Sequence, residues 1–191
     1  MTSTTEPRVL RREATWIVLV LAGLSIAACS HSAASSRGPL QPVMDRTTAC
    51  SETPLGGDFG VGFVVTVSGS PSVTVKSVSL VEPSGVELAD SVLLDPYNDA
   101  IGFMNLPPSS GDPFDLKHRW DARTQAVGAT IEPGTPTNMV LVIRFLTDDS
   151  KVSGATISYE AGGRPYVYDV KIEVDHGASC SGTTAATETS G

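Results

Sequence analysis

The stretch "ATISYEAGGRPYVYDVKIEV" (155–174) constrains the fold more than any other. Ala155, Ile157 and Tyr159 share one parity and Thr156, Ser158 and Glu160 the other. After Gly162-Gly163, Tyr166, Tyr168, Val170, Ile172 and Val174 fall on one side, and Val167, Asp169, Lys171 and Glu173 on the other. A period of two places side chains alternately above and below a pleated strand, so each run carries one apolar face. Two glycines between such runs supply the positive φ of a tight hairpin turn. A hairpin with one greasy face must lay it against a second β-layer.

The rest of the chain is consistent with this. Residues 59–69 are Val-rich and end in "SGSPS", a turn cluster. In 73–81, Val73 and Val75 share a parity that Val78 and Leu80 do not, which predicts a bulge near Lys76–Ser77 or a strand that changes sheet. A turn at 83–85 leads into "VELADSVLL" (86–94). Two more strands flank Glu132-Pro133-Gly134, where Pro presets φ and Gly takes the positive value that follows. Met139 to Leu146 is almost unbroken apolar sequence, as a central strand buried on both faces requires. With 18 Gly, 13 Pro and 18% charged residues, turns and short strands are favoured over long helices. No helical apolar stripe of useful length occurs after residue 28. The expected fold is all-β: an antiparallel sandwich of about seven or eight strands that resembles an immunoglobulin-like domain by element count. The cysteine–tryptophan–cysteine pattern of antibody domains is absent, and a small closed barrel is the alternative architecture.

The amino terminus has a different composition. Residues 1–13 carry Arg8, Arg11 and Arg12, and residues 14–28 are uncharged and apolar. Fifteen such residues are short for a membrane span, which needs about 20, but they suit the apolar region of an export signal. The stretch closes on "IAAC" (Ile26, Ala27, Ala28, Cys29), which resembles the lipobox of bacterial lipoproteins. That resemblance implies cleavage before Cys29, lipidation of its thiol, and anchoring at the extracytoplasmic face of the cell membrane. A thiolate is the side chain nucleophilic enough to form the thioether readily. Three cysteines are present: Cys29, Cys50 and Cys180. If Cys29 is lipidated, an exported chain retains an even pair, and Cys50 with Cys180 is the expected disulfide. The expected organisation is a signal peptide over 1–28, a polar tether over 29–49, a β-domain over 50–180 and a disordered tail over 181–191.

The net charge of −8, with no clustered Lys/Arg stripe, argues against nucleic-acid binding. One segment, 95–125, breaks the regular strand spacing, and loops of that length are often functional. It holds Tyr97, Phe103, Met104, His118 and Trp120, the expected binding-loop residues if a ligand binds here. The competing reading has the same aromatics packing over one end of the sandwich, with "LKHRW" as a short extra strand. Met104, His118 and the acidic residues of this segment are what a metal or small-ligand carrier would use, but no closely spaced His/Cys set supports a metal site and no cofactor is implied. The motifs of serine hydrolases and phosphate-binding loops are missing. The expectation is a non-catalytic binding or structural module with an unknown envelope protein or polymer as partner. A carrier is the first alternative and an envelope hydrolase the lesser one.

Overall fold

Turn chemistry and alternation translate into strands along most of the chain described by the computed structural model, which covers residues 38–42, 47–94, 101–112, 115–177 and 180. The first half contains β1 (Leu40–Pro42), β2 (Thr47–Ser51), β3 (Asp58–Val67), β4 (Val73–Val81), β5 (Val86–Leu94) and β6 (Gly102–Asn105). A short helix, α1 (Leu116–Asp121), follows, then β7 (Thr124–Gln125) and β8 (Thr130–Ile131). The second half continues with β9 (Thr137–Phe145), β10 (Lys151–Val152), β11 (Gly154–Ala161), β12 (Arg164–Val170) and β13 (Ile172–His176). Among the described residues no helix is long and apolar enough to cross a membrane.

The strands form three sheets. One has the order β1-β3-β9-β5-β7, with β6 also paired to β3; a second runs β12-β11-β4-β8; a third runs β10-β13-β2. The fold is all-β, and among the described residues every strand pairing is antiparallel except one: β13 and β2 run parallel. The expected strand count was too low because short pieces such as β7, β8 and β10 carry no periodicity of their own. Strand pairing also begins at Leu40, ahead of Cys50 and inside the stretch expected to be tether.

The predicted hairpin is present. β11 and β12 pair from Ala155↔Val170 to Ala161↔Arg164, and Gly162 and Gly163 turn with φ of 56° and 74°. The second run of alternation is not one strand, however. It breaks at Lys171, so β12 stays with β11 while β13 leaves for the third sheet. Parity survives the break: Val170, Ile172 and Val174 all lie in the main core.

The predicted bulge falls where the parity switches. Ser158 pairs with Ser77 and Tyr159 with Val75, which leaves Lys76 as the extra residue and keeps Val73, Val75 and Val78 on the core side. A second irregularity, in β5, skips Ala89 between Leu88↔Ile143 and Asp90↔Val142.

β9 is the central strand, between β3 and β5. Its Met139, Leu141, Ile143 and Phe145 enter a main core shared with Val61, Phe63 and Val65 of β3 and with inward residues of the other two sheets. Its Val140 enters a smaller cluster on the opposite face, with Val92, Leu94, Met104 and Leu116. Burial on both faces is why the strand lacks polar alternation. The apolar run outlasts the strand by one residue: Leu146 is 52% exposed.

The smaller cluster is made by the segment expected to be an irregular loop. A Cβ on Gly60 would meet Met104 at 2.8 Å, and one on Gly62 would meet Ile101 at 3.1 Å. The glycines of "FGVGF" therefore leave room for residues 101–106 to lie against β3. "LKHRW" is the body of α1 and not a strand. Leu116 is its buried anchor, and Trp120 packs partly against the cluster. The aromatic-packing reading was right in kind, but the packing covers a sheet face and not a sandwich end.

Candidate binding cleft beside the disulfide

The parallel pairing of β2 with β13 sets Cys50 opposite Asp175 and Ser51 opposite His176. The chain then turns after Gly177, and the Cys180 amide donates to the Gly177 carbonyl at 2.9 Å. This brings Cys180 back to β2, where it is disulfide-bonded to Cys50 with the Cα atoms 5.3 Å apart. The bridge closes a separation of 130 residues and ties the first strand of the third sheet to the end of the last.

Beyond Cys50 lies a cleft of about 530 Å³, bounded by Cys50–Pro54, Phe59, Asn105 and Cys180. It opens between the free edge of β2 and β6, the added strand on β3. Three polar side chains run along it in one direction. The Ser51 hydroxyl donates to Thr53 Oγ1 at 2.9 Å, and the Thr53 hydroxyl donates to Asn105 Oδ1 at 2.8 Å. The Thr53 amide donates back to Ser51 Oγ at 3.2 Å. This order assigns the Asn105 oxygen to Thr53 and leaves its Nδ2 as a two-proton donor on an exposed side chain. Glu52, also exposed, supplies a carboxylate.

The apolar wall is aromatic. Phe59 pairs directly with Asn105 across the β3–β6 ladder. Its ring lies parallel to that of Phe103, with centroids 6.0 Å apart and planes 9° apart. Phe59 is buried, whereas Phe103 is 36% exposed, so the outer ring presents apolar surface to solvent.

His176 holds the back of this wall. Its Nε2 donates to the Thr53 carbonyl at 2.7 Å, and its ring stacks on Phe145 with centroids 4.3 Å apart. Among the described residues its buried Nδ1 has no hydrogen-bond partner. The ring's Nε2 is committed to a backbone carbonyl.

The residues singled out from sequence are dispersed. Phe103 stacks on Phe59 but is not among the residues that bound the cleft. Met104, next in sequence, points to the opposite face of β6 and is buried against Val92, Leu94, Leu116 and Val140. His118 is exposed on α1. Beside it, the Lys117 ammonium donates to Asp121 at 2.8 Å and holds that carboxyl below the usual range. Trp120 is half-buried beneath the Arg123 guanidinium, which sits 4.5 Å from its ring centroid. Met104 is thus a core residue and His118 a surface one, which does not make the pair that a carrier would use. Among the described residues no group of three or more His, Cys, Asp or Glu could hold a metal ion. Tyr97 and Cys29 lie outside the described residues.

Sequence reasoning missed Ser51, Thr53, Phe59 and Asn105. Only Asn105 carried a faint signal: it shares parity with Phe103 in "GFMN".

No protein-family model matches the chain, and no curated protein matches its sequence. Among solved structures, that of the Vibrio cholerae VesB protease is similar at 9% identity and a TM-score of 0.33. The similarity covers 72% of this chain and 32% of that one, so the chain spans about a third of that protein's length. A likeness of that size carries no argument about activity.

Proposed function

We propose that this chain is a membrane-anchored lipoprotein of the bacterial cell envelope, with an immunoglobulin-like β-sandwich that serves as a non-catalytic binding or structural module. The observation that carries this reading is the use of the cysteines. Cys50 and Cys180 are joined to each other, so Cys29 is the one cysteine that this disulfide leaves over, and it ends the "IAAC" motif. A disulfide at the edge of the fold also favours an oxidising, exported setting. The non-catalytic part of the reading is supported by His176, whose ring is committed to a carbonyl, and by His118, which stands on a surface helix.

The test is metabolic labelling with a radiolabelled fatty acid in the bacterial host. The unaltered chain is expected to take up label and fractionate with membranes. Cys29→Ser is expected to lose the label and accumulate as precursor, while its Cys50–Cys180 bridge still forms. Unchanged labelling of Cys29→Ser would refute the anchor.

A further inference from the structure

We propose that the end of the domain opposite the entry of β1 docks a protein partner, which takes Leu55 and Leu146 into an apolar socket rimmed by Lys or Arg.

The strand registers decide which turns share an end. Leu40 of β1 pairs with Val67, the last residue of β3. The Gly134 amide donates to the Val67 carbonyl at 3.3 Å, and a Cβ on Gly162 would meet Pro71 at 3.1 Å. The turns 68–72, 132–136 and 162–163 therefore stand at the end where β1 enters, and they hold no Leu, Ile, Val, Met or aromatic residue. The other end differs. There the Gly56 amide donates to the Phe145 carbonyl at 2.8 Å, which lays the turn after Pro54 against the end of β9. Leu55 and Leu146 flank that bond in sequence, and they are 48% and 52% exposed.

Single exposed leucines are ordinary, but two on adjoining turns at one end form a patch. The turns that carry them are rigid. The Leu146 amide donates to the Gly85 carbonyl at 2.7 Å and the His176 amide to the Ser150 carbonyl at 3.0 Å. The Thr147 amide donates to Ser150 Oγ at 3.3 Å. A leucine held in water adds nothing to the folded chain, and it becomes favourable only when a partner buries it. Because the backbone is already fixed, little ordering entropy opposes that burial.

Charge selects the partner. Glu52 precedes Pro54, Asp148 and Asp149 follow Leu146, and Glu82 leads into the turn that meets Leu146 at Gly85; all four are exposed. Of the cations at this end, Arg144 is engaged by Asp58 at 2.8 Å and Glu87 at 3.2 Å, and Lys151 lies 4.0 Å from Asp175. A second copy of this chain would set carboxylates against carboxylates. An anionic lipid surface would be repelled, and a neutral polymer offers an aliphatic side chain no socket. A protein surface with an apolar pocket and a Lys/Arg rim answers both the leucines and the carboxylates. The direction agrees with the proposed anchor. Gly38 follows Cys29 by nine residues, at most about 30 Å of extended chain, so a lipid on Cys29 keeps the β1 end toward the membrane and turns the leucines outward.

This inference rests on the chain being a binding module but not on its anchor. Cross-linking at the leucines and fatty-acid labelling of Cys29 can fail independently of each other. The test places the photo-cross-linker benzoylphenylalanine at Leu55, at Leu146 or, as the control, at Ser70 of the full-length chain. Each protein is made in the bacterial host and irradiated in intact cells. Both leucine positions are expected to give the same discrete protein adduct, and Ser70 none. Asp148→Lys together with Asp149→Lys is expected to weaken the adduct about tenfold, and Asp148→Asn with Asp149→Asn less than that. Mass spectrometry of the cross-linked peptide is expected to find Lys or Arg flanking the site on the partner. Non-reducing gels check that every variant keeps the Cys50–Cys180 bridge, so a lost adduct reports the surface and not the fold. No adduct from either leucine, an adduct of two copies of this chain, equal cross-linking at Ser70, or an adduct indifferent to the lysine substitutions would each overturn the proposal.

Discussion

His176 Nε2 lies 2.7 Å from the carbonyl oxygen of Thr53, and 123 positions of sequence separate the two residues. The bond joins the last strand to the turn that leaves β2, and the Phe145 ring covers it. His176→Ala removes the donor, leaves the carbonyl unpaired and opens a void beside Phe145. The expected loss of stability is about 2–3 kcal/mol. His176→Phe restores the ring but not the bond and should fall between the two. Urea unfolding of the three proteins checks the order.

The disulfide acts on the unfolded chain. Joining residues 130 apart removes much of its loop-closure entropy, so Cys50→Ala together with Cys180→Ala is expected to cost about 3–5 kcal/mol. The folded double variant should keep the β2–β13 pairing, because the parallel ladder and His176 also hold it. Denaturant midpoints measure the cost, and amide exchange at Cys50-Ser51 and Asp175-His176 reads the pairing.

Tyr159 makes stability sensitive to alkali. It is 1% exposed, stacked on Tyr166, and its hydroxyl is buried. Burial pushes the phenol above its ordinary 10.0. The folded state therefore resists ionisation more than the unfolded state does. That contribution is whole below pH 10 and lost as the pH climbs through 10 toward the raised value. Tyr159→Phe has no group to ionise. Its stability is expected to fall less between about pH 9 and pH 11, with little change at pH 7, as thermal melts across that range would record.

Thr53→Val conserves volume and deletes one hydroxyl. Ser51 loses its acceptor and Asn105 Oδ1 its donor, at an expected cost of about 1–2 kcal/mol. Urea unfolding measures the loss. Thr53→Ser keeps the hydroxyl and should restore most of the stability.

Local features of the fold were legible wherever a strand carried its own periodicity. The β11–β12 hairpin, the bulge at Lys76 and the doubly buried β9 each leave a mark within about ten residues. The Ala89 irregularity in β5 could have been read the same way. Val86 and Leu88 share a parity that Leu93, also in the main core, does not. The Lys171 break was not legible, because alternation continues through it and the two halves differ only in the strand they pair with. α1 was misread because six residues are too few to show a helical period.

The sequence by itself determined that this chain is β-rich, where its best hairpin turns, and which two cysteines could pair if Cys29 is spent elsewhere. These follow from pleat periodicity, from the positive φ that glycine allows and from counting thiols, all of which are local or compositional. Tertiary structure alone decided that β2 joins β13 in parallel, that residues 101–106 and α1 cover a sheet face, and that Ser51, Thr53, Phe59 and Asn105 meet beside the disulfide. Each of these depends on contacts between segments tens of residues apart or more. No short-range pattern encodes them, because the free energy that selects them comes from burial shared across the whole core.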